Sequence, residues 1–342
     1  MKNFFINRRI MQALSLALLC TSAQLASAQC MQSDQLKGVN ISGAEFKSKE
    51  LPGKQDKDYV YPNSADLDFV KSIGGNVIRL PFLWERIQPE LNAPLNQDVL
   101  NALHKIVDGA YRRGLCVILD VHNYAAYRGK PLGSTTVPAT AFYDLWTRLA
   151  QQFPEPEQTI FGLMNEPAKI SIDQWAPIAQ QAVNAIRKSG SKNIILVAGG
   201  RWSGAHEWLK PQGATSSAIA FARLTDPLQR TWLEAHQYAD SDYSGTKYEC
   251  VDADKMKRIF GGLTTWAKEN RQRLFLGEFG VAPNEKCLTA LDTMLTEMQD
   301  KTVWRGWTYW TAGRWWGDYP MSIQPKNGTE AAQITVLKKY LK

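Results

Sequence analysis

The chain has 342 residues, of which 40 are Lys or Arg and 33 Asp or Glu, giving a formal charge of +7 at pH 7. No basic run stands out, so the surplus gives no argument for a nucleic-acid partner. Four His, with neither an HExxH nor a CxxC pattern, leave a zinc site little support, and the length suits one large domain with insertions as well as two small ones.

At the N-terminus Lys2, Arg8 and Arg9 stand without an acid before an apolar run at 10–20, and Ala26-Ser27-Ala28 offers the small residues a signal peptidase needs. This is the layout of a secretory signal peptide over residues 1–28; the run is too short to span a bilayer. Gln29 precedes Cys30 where lipid attachment requires a small residue, so no membrane anchor is expected. Without residues 1–28 the charge falls to +4, and the mature chain, 29–342, is expected to be a soluble, exported monomer. Its four cysteines, Cys30, Cys116, Cys250 and Cys287, permit two disulfides in an oxidising compartment. Cys116 lies inside a strand-like run and reads as a buried free thiol.

Along the mature chain, short apolar runs alternate with stretches of helical periodicity. Strands are expected at 36–41, 76–80, 115–121, 160–164, 194–197, 232–236, 274–276 and 306–310. They are β-branched and aromatic rather than alternating, as suits parallel strands covered on both faces. Helices are expected at 65–72, 98–113 with Gly114 as a stop, 139–152, 172–189 with Gly190 closing it, 256–270 and 331–341. Eight such units over about 300 residues predict a single-domain α/β fold, the (β/α)8 TIM barrel. No Pro/Thr/Ser-rich linker or repeat marks an appended module. The longest insertions, 199–231 and 311–330, follow the fifth and eighth strands, and barrel closure puts such loops on the catalytic face.

Polar residues collect where these strands end: Arg79, His122-Asn123, Asn165-Glu166-Pro167, His236, Tyr238, Glu278 and Trp310. Each belongs to a different strand unit or the same one a step later, yet a barrel gathers its strand ends around one opening. Glu278 sits between Gly277 and Phe279-Gly280, in apolar surroundings, and Arg79 is the candidate partner for its charge. Asp120 and Glu234 each stand two residues before a histidine. The strand period of two aims each the same way as that histidine but a layer deeper, so both read as buried and hydrogen-bonded.

With these residues together, the chain resembles glycoside hydrolase family 5, the cellulase family A. The fourth strand carries Leu163-Met164-Asn165-Glu166-Pro167 and the seventh Leu276-Gly277-Glu278-Phe279-Gly280. Arg79, His122, His236, Tyr238 and Trp310 match other recurring positions. Residues 36–43, LKGVNISG, and 240–250, DSDYSGTKYEC, are similar to the fungal-type endoglucanase branch. The loop Thr311-Ala312-Gly313-Arg314-Trp315-Trp316-Gly317 departs from the pattern. The resemblance implies a secreted endo-β-1,4-glucanase that retains anomeric configuration, with Glu166 as general acid/base and Glu278 as nucleophile. It also implies that Asn165 binds the sugar 2-hydroxyl, that Trp310 floors the sugar at the cleavage point, and that His122, His236 and Tyr238 orient carboxylates and ring. The expected partner is a β-glucan, with no metal and no organic cofactor.

Two rival readings remain open on sequence: a β-mannanase or mixed-linkage glucanase of the same fold, and a non-catalytic carbohydrate-binding barrel. A phosphate-handling barrel would want a Gly-rich loop after strands seven and eight, and 279–285 and 311–317 do not supply one. Cys250 and Cys287 follow the sixth and seventh strands and are expected to pair. Cys30 is left without a partner. Trp202, Trp315 and Trp316 are candidates, from loop position, for holding further sugars.

Overall fold

The computed structural model describes residues 30–341, so the expected leader at 1–28 lies outside them. Eight parallel strands close a barrel: β1 (Leu36–Ile41), β2 (Val77–Phe82), β3 (Cys116–Val121), β4 (Thr159–Gly162), β5 (Ile194–Ala198), β6 (Thr231–His236), β7 (Leu274–Glu278) and β8 (Trp304–Ala312). Each pairs with its neighbours in sequence, and β8 returns to β1. The main helices cross over outside the sheet at Ser64–Ser72, Gln97–Tyr111, Ala139–Gln152, Ile172–Lys188, Ala253–Glu269, Glu285–Glu297 and Ala332–Tyr340. This is the expected (β/α)8 fold, with strand and helix ends moved by a few residues.

The strand period of two sorts the side chains into two cores. Ile78 and Leu80 of β2, Val117, Leu119 and Val121 of β3, and Leu233 and Ala235 of β6 join the large cluster under the helices. Their alternates Val77, Cys116, Ile118 and Trp232 fill the barrel's lower interior. The same parity turns Arg79, Asp120, Glu234 and His236 inward one or two layers higher, which is why a buried charge cluster forms there.

Two expectations need correction. Cys116 is not a free thiol: it pairs with Cys30, with Cα atoms 5.5 Å apart. Cys116 opens β3 at the lower end of the barrel, and the N-terminal segment lies against that end, where Cys30 joins the same apolar cluster. Sequence showed a strand but not which end of the barrel the segment around Cys30 would cover. Residues 285–297, where no helix was expected, form the helix Glu285–Glu297, with Cys287 in its first turn and Asn284 accepting from the backbone of Cys287. Its buried Cys287, Ala290, Leu291, Met294 and Leu295 carry a helical period that the sequence reading passed over. The expected Cys250–Cys287 disulfide is present, with Cα atoms 5.2 Å apart.

Candidate functional site

Arg79 is the hub of the site, and it is wholly buried. Its Nη1 donates to Glu278 Oε1 at 2.8 Å and to Asn40 Oδ1 at 3.0 Å, and its Nη2 donates to Asn165 Oδ1 at 2.9 Å. Close ion pairs complete its surroundings: Nη2 lies 3.1 Å from Asp120 Oδ1 and Nε 3.0 Å from Glu234 Oε1. Burial alone would weaken the guanidinium charge, but the carboxylates of Asp120, Glu234 and Glu278 more than restore it. Asn40, at the end of β1, is fixed in turn by donating to the carbonyls of Gly277 and Thr308.

Glu278 reaches this cluster through a break in register. Phe275 faces the barrel interior, so a regular strand would turn residue 278 outward. Instead Ala235 pairs with Leu276 while His236 pairs with Glu278, a shift of one residue that brings the carboxylate in. Gly277 makes the shift possible, since a Cβ there would lie 1.9 Å from Glu234 Oε1. Tyr238 donates to Glu278 Oε2 at 2.8 Å, so both carboxylate oxygens are held. Burial pushes the Glu278 carboxyl up, yet the nearby charges of His236 and Arg79 bring it below the usual range, and it stays ionised.

Glu166 follows β4 in the left-handed region, at φ 41°, and its side chain is 15% exposed to the opening. A non-glycine residue there costs about a kcal/mol that the surrounding fold must offset. Burial raises its carboxyl first, the hydrogen bond from His236 opposes this, and the charge on Glu278 raises it further; the net shift is upward. Ligand-capable atoms of Glu166, His236 and Glu278 all lie within 4.8 Å of one another. The two carboxylates therefore face each other at short range with opposite protonation preferences.

His236 sits between acids: Nδ1 is 2.9 Å from Glu166 Oε1 and 3.7 Å from Glu278 Oε2, and Nε2 is 3.4 Å from Glu234 Oε1. Burial favours the neutral ring, but the charge on Glu278 and the bonds to Glu166 and Glu234 raise the imidazole to about 10. His122 makes a 2.7 Å bond to Asp120 through Nδ1 and a 3.2 Å bond to the Asn165 amide through Nε2. Trp310, 7% exposed, lies near-parallel to His122 with ring centres 5.8 Å apart, and Trp316 meets it edge-on at 5.7 Å.

The eight residues singled out on sequence thus meet in one place. Two clefts open from it and share Tyr124. One, of about 520 Å³, is lined by Glu166, Trp202, His206, His236, Tyr238 and Tyr243 among others. The other, of about 560 Å³, runs past His122 and Asn123 toward Lys49 and Arg128. Trp202 is 59% exposed on the first cleft, and Trp315 is 37% exposed. Trp316 instead buttresses Trp310, with Phe46 edge-on at 5.1 Å and its indole N–H donated to Ser42. Sequence reading missed Asn40, Tyr124, His206, Tyr243 and Glu45. Of these Asn40 carried a signal as a polar residue ending an apolar strand, and Asn40 and Tyr243 both lie in the stretches 36–43 and 240–250 that carry the resemblance. Glu45 is nine-tenths buried in the loop after β1, and that burial raises its carboxyl to about 7.

Residues 39–314 match the sequence model described as Cellulase (glycosyl hydrolase family 5). The chain is similar to endo-beta-1,4-glucanase B of Aspergillus niger, at 33% identity over 307 residues covering 89% of each chain. Its structure is similar to that of XacCel5A in complex with cellopentaose, at 48% identity and a TM-score of 0.87, covering 90% of this chain and 99% of that one. It is also similar to the endo-beta-1,4-glucanase Xac0029 from Xanthomonas axonopodis pv. citri, at 42% identity and a TM-score of 0.88, covering 90% and 98%. This chain is a glycoside hydrolase and belongs to glycosyl hydrolase family 5, the cellulases.

Proposed function

We propose that the protein is an exported, monomeric endo-β-1,4-glucanase that cleaves internal bonds of a β-1,4-linked glucan with retention, using Glu278 as nucleophile and Glu166 as general acid/base. The observation that carries the reading is the facing pair itself. One oxygen of each carboxyl lies within 4.8 Å of the other, with one carboxyl driven up and the other held down. Retaining glycosidases hold their carboxyl groups about 5–5.5 Å apart, against about 6.5–9.5 Å where a water must fit between them. The related proteins act as endo-β-1,4-glucanases, and one binds cellopentaose, which supports the substrate class. Two disulfides suit an oxidising compartment, and no described helix is long and apolar enough to cross a membrane.

Glu278 attacks the anomeric carbon as the glycosidic C–O bond breaks. The bond's electron pair leaves on the departing oxygen, which takes the proton of Glu166. Arg79 and the Tyr238 hydroxyl keep Glu278 aimed, each on its own oxygen. Forming the glycosyl ester removes the charge of Glu278, and with it one of the forces raising Glu166. Glu166, now ionised, takes a proton from water while the water oxygen attacks the same carbon, and Glu278 departs as a carboxylate. Trp310 supplies an apolar face on which the sugar can stack. No step requires a metal or organic cofactor.

Purified protein assayed on carboxymethylcellulose, barley glucan, xylan and mannan should act on the first two, with a rapid fall in viscosity. Proton NMR during the first minutes on a soluble cello-oligosaccharide should show the β-anomer released first. Early α-anomer would overturn the retaining scheme, and a clear preference for mannan would make the protein a β-mannanase.

A further inference from the structure

One wholly buried acid takes no part in the steps above. Glu234, on β6, has a side chain with no exposure to solvent and lies below the opening, so it cannot touch a substrate. Its Oε1 faces His236 Nε2 at 3.4 Å and Arg79 Nε at 3.0 Å, and its Oε2 has no hydrogen-bond partner among the described residues. The absence of a Cβ at Gly277 is what leaves room for this carboxylate, which a solely structural role could have replaced with an apolar side chain.

We propose that Glu234 is a positioning residue of the reaction: it keeps His236 protonated on both ring nitrogens, so that Nδ1 always donates to Glu166 and never accepts its proton. The inference rests on the role of Glu166 proposed above.

The reason lies in the two tautomers of a neutral imidazole. An acceptor at Nε2 would hold the single proton there and leave Nδ1 bare, 2.9 Å from Glu166 Oε1. Glu166 would then turn its proton toward the ring rather than toward the glycosidic oxygen. Full charge on the ring avoids this and stabilises the Glu166 carboxylate once the proton has left. The groups facing the ring are Glu166 after β4, Glu278 on β7 and Glu234 on β6 itself; β5, paired beside Glu234 through Ala198, has no titratable residue. Arg79 from β2 faces Glu234 and Glu278, and through it Asp120 and His122 of the β3 end join the cluster. Of the three acids at the ring, Glu166 must be neutral before the first step and Glu278 becomes an ester after it. Only Glu234 remains charged throughout.

Removing the charge of Glu234 should let His236 deprotonate nearer neutrality. The neutral ring would then take the Glu166 proton at its bare Nδ1, and the acid form that the first step needs would be lost. In Glu234→Gln the alkaline limb of the kcat/KM profile should therefore move to lower pH, by about one unit, with kcat on the order of tenfold lower at about pH 8 and KM little changed.

The test is 15N NMR of the full chain labelled at histidine, alongside these pH profiles. In the wild type His236 should stay doubly protonated from about pH 6 to about pH 8, and in Glu234→Gln it should lose a proton within that range. A bare nitrogen on wild-type His236 in that window would overturn the proposal. So would a folded Glu234→Gln protein with a wild-type histidine spectrum and profile. Should the amide variant fail to fold, Glu234→Asp decides, its charge set one methylene farther from the ring: a lowered His236 titration supports the proposal, an unchanged one ends it. Loss of the Glu166 role itself would appear elsewhere, as failure of azide rescue in Glu166→Ala with the histidine spectrum intact.

Discussion

Two carboxylates with the duties proposed for Glu166 and Glu278 give separate signatures when each is removed. Glu278→Ala should abolish turnover of every glucan, because no glycosyl ester can form. Glu166→Ala should lose cellulose-like substrates but keep the first step on aryl glycosides, whose leaving group departs without an acid. Azide should restore turnover in Glu166→Ala and give the β-glycosyl azide, and in Glu278→Ala it should give the α-azide. Chromatography and NMR of the products decide, and the opposite pairing would exchange the two roles. Trp310 belongs to a small cluster with Tyr238 and Met321, apart from the main core under the helices. Trp310→Ala should therefore cut kcat/KM about a hundredfold, roughly 3 kcal/mol of lost transition-state binding. The melting temperature should fall by only a few degrees. Calorimetry with rates per folded molecule checks this, and a large stability loss with near-normal rates would make the ring a core residue.

Between elements, a nearly buried ion pair ties a helix to the base of β6. Arg187, in the last turn of the helix Ile172–Lys188, makes a two-pronged ion pair with Asp226, both bonds 2.9 Å, and the pair is nearly buried. Asp226 also accepts from the backbone of Leu228 and Arg230, so it fixes the loop that starts β6. Burial raises its carboxyl, but the Arg187 and backbone bonds win and hold it at about 2. Because the folded value is depressed, this stability is fully present above the ordinary Asp range near pH 4 and fades as pH falls toward 2. Asp226→Asn should cost about 3 kcal/mol at neutral pH, since Arg187 is left uncompensated, and should flatten the acid limb of a stability-against-pH curve. Urea titrations at several pH values measure both effects.

Across the whole molecule the two disulfides lie at opposite ends of the barrel and should behave differently. Cys30–Cys116 closes the lower end, far from the strand ends that carry Glu166 and Glu278. Cys250–Cys287 secures the loop that presents Asp242, Tyr243 and Ser244 to the cleft, where the Asp240 carboxylate also gathers the backbone N–H groups of Gly245, Thr246 and Lys247. Replacing either pair by serine should cost roughly 2–4 kcal/mol. Only the Cys250/Cys287 replacement should also raise KM on long cello-oligosaccharides. Denaturation and steady-state kinetics on both double variants separate stability from binding, and an equal KM for the two would detach that loop from substrate.

Much of this was legible from the order of residues, and the reason is periodicity. Runs such as Val117–Val121 name a strand by composition, and their parity places Asp120 and His122 on one face. Eight such runs with helices between them leave few ways to close, so the barrel and its ring of strand-end residues followed. The chain order also separated Glu166 from Glu278 as two members of one opening. What it could not contain is anything that depends on a break in period or a contact across the barrel. The register shift at Gly277 turns Glu278 against its own strand's parity. The partner of Cys116 depended on which end the N-terminal segment covers, and the charge on His236 on three acids from β4, β6 and β7 meeting around one ring. Sequence determined which groups were available and which way regular strands would aim them. Tertiary structure decided which became neighbours, and because buried charges act over a few ångströms in a low dielectric, it decided their protonation as well.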